Sequence, residues 1–336
     1  MNDAPFDPDA PAEGDGLFGL PHSPDEASVV VIPVGFEATA SFRRGTKDAP
    51  TAILEASRQV DLHDLETGDP WTAGIAMEDA DPRVAAWEAA ASADACVVIA
   101  NGGRDAGDGE RCARVDAIMR ELNAHVEART KHWLDQGRIP AILGGDHSVP
   151  YGAIKAASEK FPGLGILHVD AHADLRVAYE GFEFSHASIL YNVSRLPGVG
   201  RIAQVGIRDF GRAEREFAES SDKIETWFHT RLAWQLAGGA NWRKLCEDIV
   251  RPLPKDVWIT FDIDGLEPAL CPNTGTPVPG GLNWDQALVL LRTLAESGRR
   301  IVGFDLNEVG NDEWDAIVGA RVLYKLAGWA VATRPA

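Results

Sequence analysis

The sequence predicts an α/β fold in which helices cover both faces of a largely parallel sheet. Two observations carry that reading. Short apolar runs alternate along the chain with longer segments whose Leu, Ile, Val and Met recur at helical spacing, the pattern of strand–helix–strand units. Four of the apolar runs also end in Gly, Asp, His or Glu, where sheets of this class collect ligands, beyond the carboxyl ends of their strands.

The elements follow in order. Residues 1–20 begin MNDAPFDPDAPAEGDG; acidic residues, Pro and Gly stand where an export signal needs basic residues and an apolar block, so a flexible arm is expected. Residues 21–336 are expected to form one domain, because the rest of the chain shows no repeat, low-complexity block or Gly/Ser linker. Strands are expected at SVVVIPVGF (28–36), rich in β-branched residues, and at ACVVIAN (95–101). Cys112 to Gln136 places its apolar residues at helical spacing. Further strands are PAILGGD (140–146), LGILHVDAH (164–172), RIAQVGI (201–207) and DVWITFDID (256–264). A helix at Trp284 to Ser297 then leads to the last strand, RRIVGFDLNEV (299–309).

Composition narrows the functional class. The 336 residues are 45% hydrophobic and 25% charged, with no apolar run of membrane-spanning length, and the formal net charge is −19. Phosphate binding needs clustered Lys and Arg, so nucleic acid is an unsuitable partner, and no membrane is expected. Cys96, Cys112, Cys246 and Cys271 show no CxxC pair or zinc-type spacing, which suits reduced thiols in a cytoplasm.

In ILHVDAHADLR, Asp170, His172 and Asp174 occupy alternate positions, and alternate strand residues project to one side. Asp262 and Asp264 repeat the spacing, and His147 follows the Gly144–Gly145 turn. Four carboxylates brought together cannot all stay ionised in a cleft unless cations balance them. Two divalent ions would do so. Carboxylates with a minority of imidazole and no thiolate suit Mn²⁺, with Fe²⁺, Co²⁺, Ni²⁺ and Zn²⁺ also compatible. A water shared by two such ions is hydroxide near neutral pH, which points to a hydrolase. His168 lies deeper in its apolar run and reads as a core or supporting histidine, and Asp146 as a residue holding a turn or a ligand.

GGDHS, DAHAD followed by SHAS, FDIDGLEPALCPNTGTPVPGG and GFDLNEV, in this order, resemble the ureohydrolases: arginases, agmatinases and their relatives, over roughly residues 28–330. The resemblance implies a three-layer α/β/α fold around a mostly parallel, about eight-stranded sheet, and a binuclear manganese centre that hydrolyses guanidino groups to urea. It implies that His147, Asp174, Asp170 and Asp262 bind one ion and His172, Asp264, Asp170 and Asp262 the other. Glu308 matches the family's guanidinium-binding glutamate, His186 its active-site histidine and proton shuttle, and Asp174 would pass a proton to the leaving amine. Ala187 departs from the family's usual Gly. A homotrimer or homohexamer is also implied.

The loop DAHADLRVAYEGFEFSHAS resembles agmatinases more than arginases, so agmatine is the expected substrate. Arg176 stands where a cation disfavours an α-ammonium group; facing the pocket it would suit a carboxylated guanidine such as guanidinobutyrate, guanidinopropionate or formimidoylglutamate, and facing away it would pair with Glu180 or Glu183. The Arg43–Arg44 pair is a second departure. It leaves free guanidine open as a substrate, with nickel beside manganese as the metal, and a catalytically silent scaffold is the non-enzymatic alternative.

Overall fold

The computed structural model describes residues 6–334 apart from 13, 104 and 106. In chain order its elements are β1 (Val29–Val34), α1 (Ala49–Ser57), β2 (Ile75–Met77), α2 (Pro82–Ala100), α3 (Gly109–Asp135), β3 (Ile139–Gly144), α4 (Tyr151–Lys160), β4 (Leu164–Val169) and α5 (Ile189–Ser194). There follow β5 (Val199–Val205), α6 (Arg212–Ser220), β6 (Ile224–Trp227), α7 (His229–Ala237), α8 (Trp242–Val250), β7 (Asp256–Asp262), α9 (Trp284–Glu296), β8 (Arg300–Asn307) and α10 (Glu313–Ala332).

The strands form one eight-stranded sheet in the order β2-β1-β3-β8-β7-β4-β5-β6, and every pairing is parallel. Alternate residues of each strand enter opposite cores. Val29, Val31, Leu167 and Val169 pack with side chains of α1, α8, α9 and α10. Val30, Ile32, Ile166 and Trp258 pack with side chains of α2, α3, α4 and α5. The three-layer architecture is thus the period-two alternation of the strands expressed on both faces of a buried sheet.

Three expectations are corrected. ACVVIAN is the last part of α2, not a strand: Asp81 caps the helix by accepting from Arg83 N–H with Pro82 in the first turn, and Ala91, Ala95 and Val98 are buried while Val97 is exposed. Burial at spacings of four and three is helical; the apolar run mimicked a strand because its alanine-rich lead-in carries little contrast. Two strands went unread, β2 and β6. They have three and four residues, too few to show a period, and lie at the sheet edges. The inner end of the expected arm is part of the fold: Leu17, Phe18 and Leu20 are buried, Phe18 N–H donates to Ser57 Oγ at 2.8 Å, and its ring meets Tyr324 at 4.8 Å. Residues 1–5 lie outside the described part. Among the described residues no helix is long and apolar enough to cross a membrane.

The order of strands positions the site. β3, β8, β7 and β4 are far apart in sequence yet adjacent at the centre of the sheet. Their carboxyl ends are the four that the sequence marked as polar.

Candidate metal centre

His147 follows β3, Asp170, His172 and Asp174 follow β4, Asp262 and Asp264 close β7, and Glu308 follows β8. Parallel strands in register deliver these side chains to one volume. His147 Nδ1 lies 3.0 Å from Asp170 Oδ2, 3.3 Å from Asp174 Oδ2 and 3.4 Å from Asp262 Oδ2. His172 Nδ1 lies 3.1 Å from Asp264 Oδ2 and 3.4 Å from Asp170 Oδ1. All six residues expected as ligands therefore meet, with Asp170 facing both imidazoles.

Two of the site residues adopt left-handed backbone: Asp174 at φ 53° and Glu308 at φ 61°, a conformation that costs a non-glycine residue about 1–2 kcal/mol. Local hydrogen bonds hold each one. The Asp174 carbonyl accepts from Leu190 and Tyr191 N–H at 3.0 and 3.1 Å. Glu308 N–H donates to the Gly145 carbonyl at 2.9 Å, and Thr274 Oγ1 donates to the Glu308 carbonyl at 2.7 Å.

The electrostatics divide the carboxylates. Burial, and after it the charge of Asp170, pushes Asp174 up to about 7. Burial with the charges of Asp264 and Asp170 lifts Asp262 well above the usual range, and burial with the charge of Asp146 does the same to Glu308. Burial would raise Asp170 too, but the imidazoles of His168, His147 and His172 outweigh it and hold Asp170 well below that range. On their own, these carboxylates cannot all be charged together.

The donor set fits divalent cations. His147 Nε2 is 2.8 Å from Thr260 Oγ1. Thr260 donates its own proton to Asp305 Oδ1 at 2.8 Å, and Asp305 also accepts from Trp258 Nε1 and Asn307 Nδ2, both at 2.6 Å. The threonine oxygen can then only accept, so Nε2 carries a ring proton and Nδ1 is the atom that faces the three carboxylates. In the metal-free site burial would lower His147, but those carboxylates outweigh it and raise the ring well above its usual range, so that Nδ1 holds a proton where an ion would sit. A nitrogen among anions needs a cation beside it, a proton or a metal ion that displaces it. Asp264 Oδ2, buried beside the His172 ring at 3.1 Å but with no donor aligned on it, makes the same demand.

His168 lies behind the cluster. Gln204 Nε2 donates to the Ala173 carbonyl at 2.7 Å and meets His168 Nδ1 at 3.1 Å, while Gln204 Oε1 accepts from Thr226 at 2.8 Å. His168 therefore presents Nε2–H to Asp170 Oδ2, 2.8 Å away. Asp146 accepts from the Ser148 N–H at 3.0 Å, from the Ser148 hydroxyl, and from Thr39 at 3.0 Å; it holds the turn, as its position suggested. Thr260, Asp305, Gln204 and Thr39 were missed in the sequence. For Thr260 a signal existed, since it lies two residues before Asp262 on the same strand; Asp305 and Gln204 gain their places only through register, opposite Thr260 and His168.

A cavity of about 390 Å³ opens above the cluster, lined by His172, Asp174, His186, Tyr179, Phe42 and Arg43 among others. Glu308 lies deeper: His147 N–H donates to its Oε1 at 2.9 Å, and a Cβ added at Gly275 would come within 2.9 Å of its Oε2. Glycine at 275 thus leaves room for that oxygen. His186 lines the cavity with Thr39 Oγ1 3.4 Å from its Nδ1, and burial, followed by the charges of His172 and His147, pushes it down to about 4. Ala187 is accommodated in a short 3₁₀ turn, His186–Ser188.

Arg176 also lines the cavity, but its carboxylate partner is neither Glu180 nor Glu183. It lies 3.6 Å from Glu214 and stacks over Tyr179 at 4.8 Å, while Glu183 pairs with Arg120 at 2.8 Å. The Arg43–Arg44 pair splits. Arg44 turns inward to Glu37 at 3.4 Å and Glu88 at 3.0 Å, whereas Arg43 reaches the Pro272 carbonyl at 2.8 Å across the cavity rim.

Comparison with known proteins agrees with this geometry. Residues 27–328 match the model of the Arginase family. The chain is 32% identical over 316 residues to the N(1)-aminopropylagmatine ureohydrolase of Thermus thermophilus, covering 93% of this chain and 94% of that protein. It is 28% identical over 307 residues to the agmatinase of Pyrococcus horikoshii, covering 90% and 92% of the two chains. Among solved structures, the agmatine ureohydrolase of Thermoplasma volcanium superposes with a TM-score of 0.72 at 25% identity, covering 95% of this chain and 94% of that one. The arginase of Medicago truncatula gives 0.68 at 26% identity, covering 91% and 88%. Strand-end ligands, sheet order and these likenesses coincide, and the chain belongs to the arginase family.

Proposed function

We propose that this protein is a binuclear metal-dependent ureohydrolase acting on an amine-tailed guanidine, with agmatine and water converted to putrescine and urea. The observation that carries the reading is His147 Nδ1 facing three carboxylates beneath an open cavity. The relatives named agmatinase and N(1)-aminopropylagmatine ureohydrolase support the substrate class.

In this reading His147, Asp174, Asp170 and Asp262 would hold one ion, and His172, Asp264, Asp170 and Asp262 the other. Manganese is the first choice and nickel the second. Two such ions would balance the carboxylate charge and would supply an activated water near neutral pH. The chain's own groups do the rest. Glu308 accepts paired guanidinium N–H donors and sets the carbon over the centre. Asp174 takes up a proton as the attack proceeds and passes it to the leaving amine, with His186 as a proton shuttle beside it. The flat walls of Tyr179 and Phe42 suit an aliphatic tail.

Arg43 favours a second reading. Among the described residues no carboxylate pairs with it, and its contacts are the Pro272 carbonyl and the Phe42 ring. A guanidine ending in a carboxylate would supply the missing charge. The test is urea release by protein loaded separately with Mn²⁺ and Ni²⁺, against agmatine, N(1)-aminopropylagmatine, arginine, guanidinobutyrate, guanidinopropionate, formimidoylglutamate and guanidine. Preference for an amine-tailed substrate supports the first reading. Preference for an acid keeps the metal chemistry and moves the specificity to Arg43, and preference for bare guanidine removes both tail assignments. The proposed homotrimer or homohexamer is tested by light scattering of the loaded protein.

A further inference from the structure

The loop between β1 and α1 places a buried hydroxyl against His186, behind the catalytic cavity, that neither the metal cluster nor the guanidinium site accounts for. Thr39 is 1% exposed and ties together two groups distant in sequence. Its Oγ1 donates to Asp146 Oδ2 at 3.0 Å. The same oxygen accepts the His186 backbone N–H at 3.2 Å and lies 3.4 Å from His186 Nδ1. A hydroxyl has one proton to give. With that proton directed to Asp146, which also takes the Ser148 N–H on its other oxygen, the threonine oxygen can only accept from the histidine. The ring nitrogen facing it therefore carries the proton.

The other ring nitrogen is then the basic one. His186 Nε2 lies 3.5 Å from Ser41 Oγ, and Ser41 and His186 both line the cavity. The loop that carries Thr39 is itself anchored from below. Glu37 Oε2 accepts Gly45 N–H at 2.6 Å, and the Glu37 N–H donates to Glu88 Oε2 at 2.9 Å. Arg44 closes this anchor against Glu88 and Ser92 at 3.0 and 2.7 Å. The inward turn of Arg44 thus bears on His186 through Thr39.

We propose that Thr39 is a positioning residue that holds His186 in the Nδ1–H tautomer, so that Nε2 faces the cavity as the proton-carrying atom. The arrangement is carboxylate, hydroxyl, imidazole: Asp146 orients Thr39 and Thr39 orients His186. No bond to the substrate is made by Thr39. The inference rests on the proposed ureohydrolase reading for its catalytic consequence, while the tautomer stands on the contacts alone.

Thr39→Val keeps the shape and removes the hydroxyl; Thr39→Ser restores it. In the metal-loaded enzyme, Thr39→Val is expected to lower kcat roughly 10–100-fold, within the range that a positioned acid–base group contributes, with KM and metal content unchanged and Thr39→Ser close to wild type. Independently of turnover, ¹⁵N spectra of the zinc-loaded protein, whose closed-shell ion leaves the ring signals visible, with the His186 signals identified by their loss in His186→Asn, should show a protonated Nδ1 in wild type and Thr39→Ser but a mixed population in Thr39→Val. An unchanged His186 pattern in Thr39→Val, or a wild-type kcat in that variant, overturns the proposal. If the wild type releases no urea from any substrate while the ¹⁵N pattern behaves as described, the ureohydrolase reading fails and the orienting role of Thr39 survives.

Discussion

The floor and the rim of the cavity are built in opposite ways. The floor groups project from the ends of four adjacent central strands, and Asp170, Asp262, Asp264 and His147 are almost wholly buried. Behind them stands a layer of fixed partners, Thr260 and Asp305 behind His147 and Gln204 behind His168. The rim is made of loops and carries Phe42 at 70% exposure and Val177 at 64%, with Arg43 held by a single carbonyl. Strand register confers accuracy on the chemistry, whereas the rim exchanges that accuracy for freedom to vary with the substrate tail. Changes at the expected ligands of the floor should therefore alter metal binding and rate together, and changes at the rim should alter selectivity alone.

The largest expected effect tests the floor directly. Asp264→Asn should lose metal occupancy and with it roughly 10³-fold or more in rate, since a catalytic metal contributes several kcal/mol; elemental analysis that still finds two ions per chain would remove Asp264 from the ligand set. Next comes Glu308→Ala, expected to keep both ions yet lose about 10²–10³-fold in kcat/KM because the guanidinium is no longer oriented. Near wild-type turnover of that variant would sink its anchoring role and blur the boundary between floor and substrate site.

A smaller effect probes the layer behind the floor. Thr260→Val should weaken metal affinity about 10–100-fold, as loss of an orienting partner does, with Thr260→Ser largely restoring it in a chelator competition. Proton linkage gives a further check. Asp174, pushed up to about 7 in the metal-free site, must lose its proton to bind an ion, so apparent metal affinity should rise with pH between 6 and 8 and proton release should accompany binding. Affinity that is flat over that window would argue that Asp174 is already ionised. The smallest change belongs to the rim: Arg43→Ala should shift KM about 2–5-fold, in line with the modest worth of exposed charges, with metal content untouched. A loss of bound metal in Arg43→Ala would break the comparison.

Much of the floor was legible along the chain because strand geometry is a local property. Asp170, His172 and Asp174, like Asp262 and Asp264, are spaced at two, and that spacing alone sends them to one side. Thr260 obeys the same parity as Asp262, but Asp305 joins it only across strands, since an aspartate inside an apolar run has no meaning until its partner strand is known. The rim was less legible. Arg176 belongs to Glu214, some forty residues away, and not to the nearby glutamates, and nothing local distinguishes Arg43 from Arg44, which face opposite ways.

The sequence by itself determined the fold class, the polar groups at the strand ends and their grouping by strand, because periodicity and side-chain chemistry are carried residue by residue. Only the tertiary structure decided that β3, β8, β7 and β4 stand side by side, that ACVVIAN completes a helix, and which hydroxyl orients each histidine. The strand order and the histidine partners depend on contacts between distant segments, Thr39 with His186 and His147 with Thr260 being more than a hundred residues apart, and no local pattern encodes such a distance.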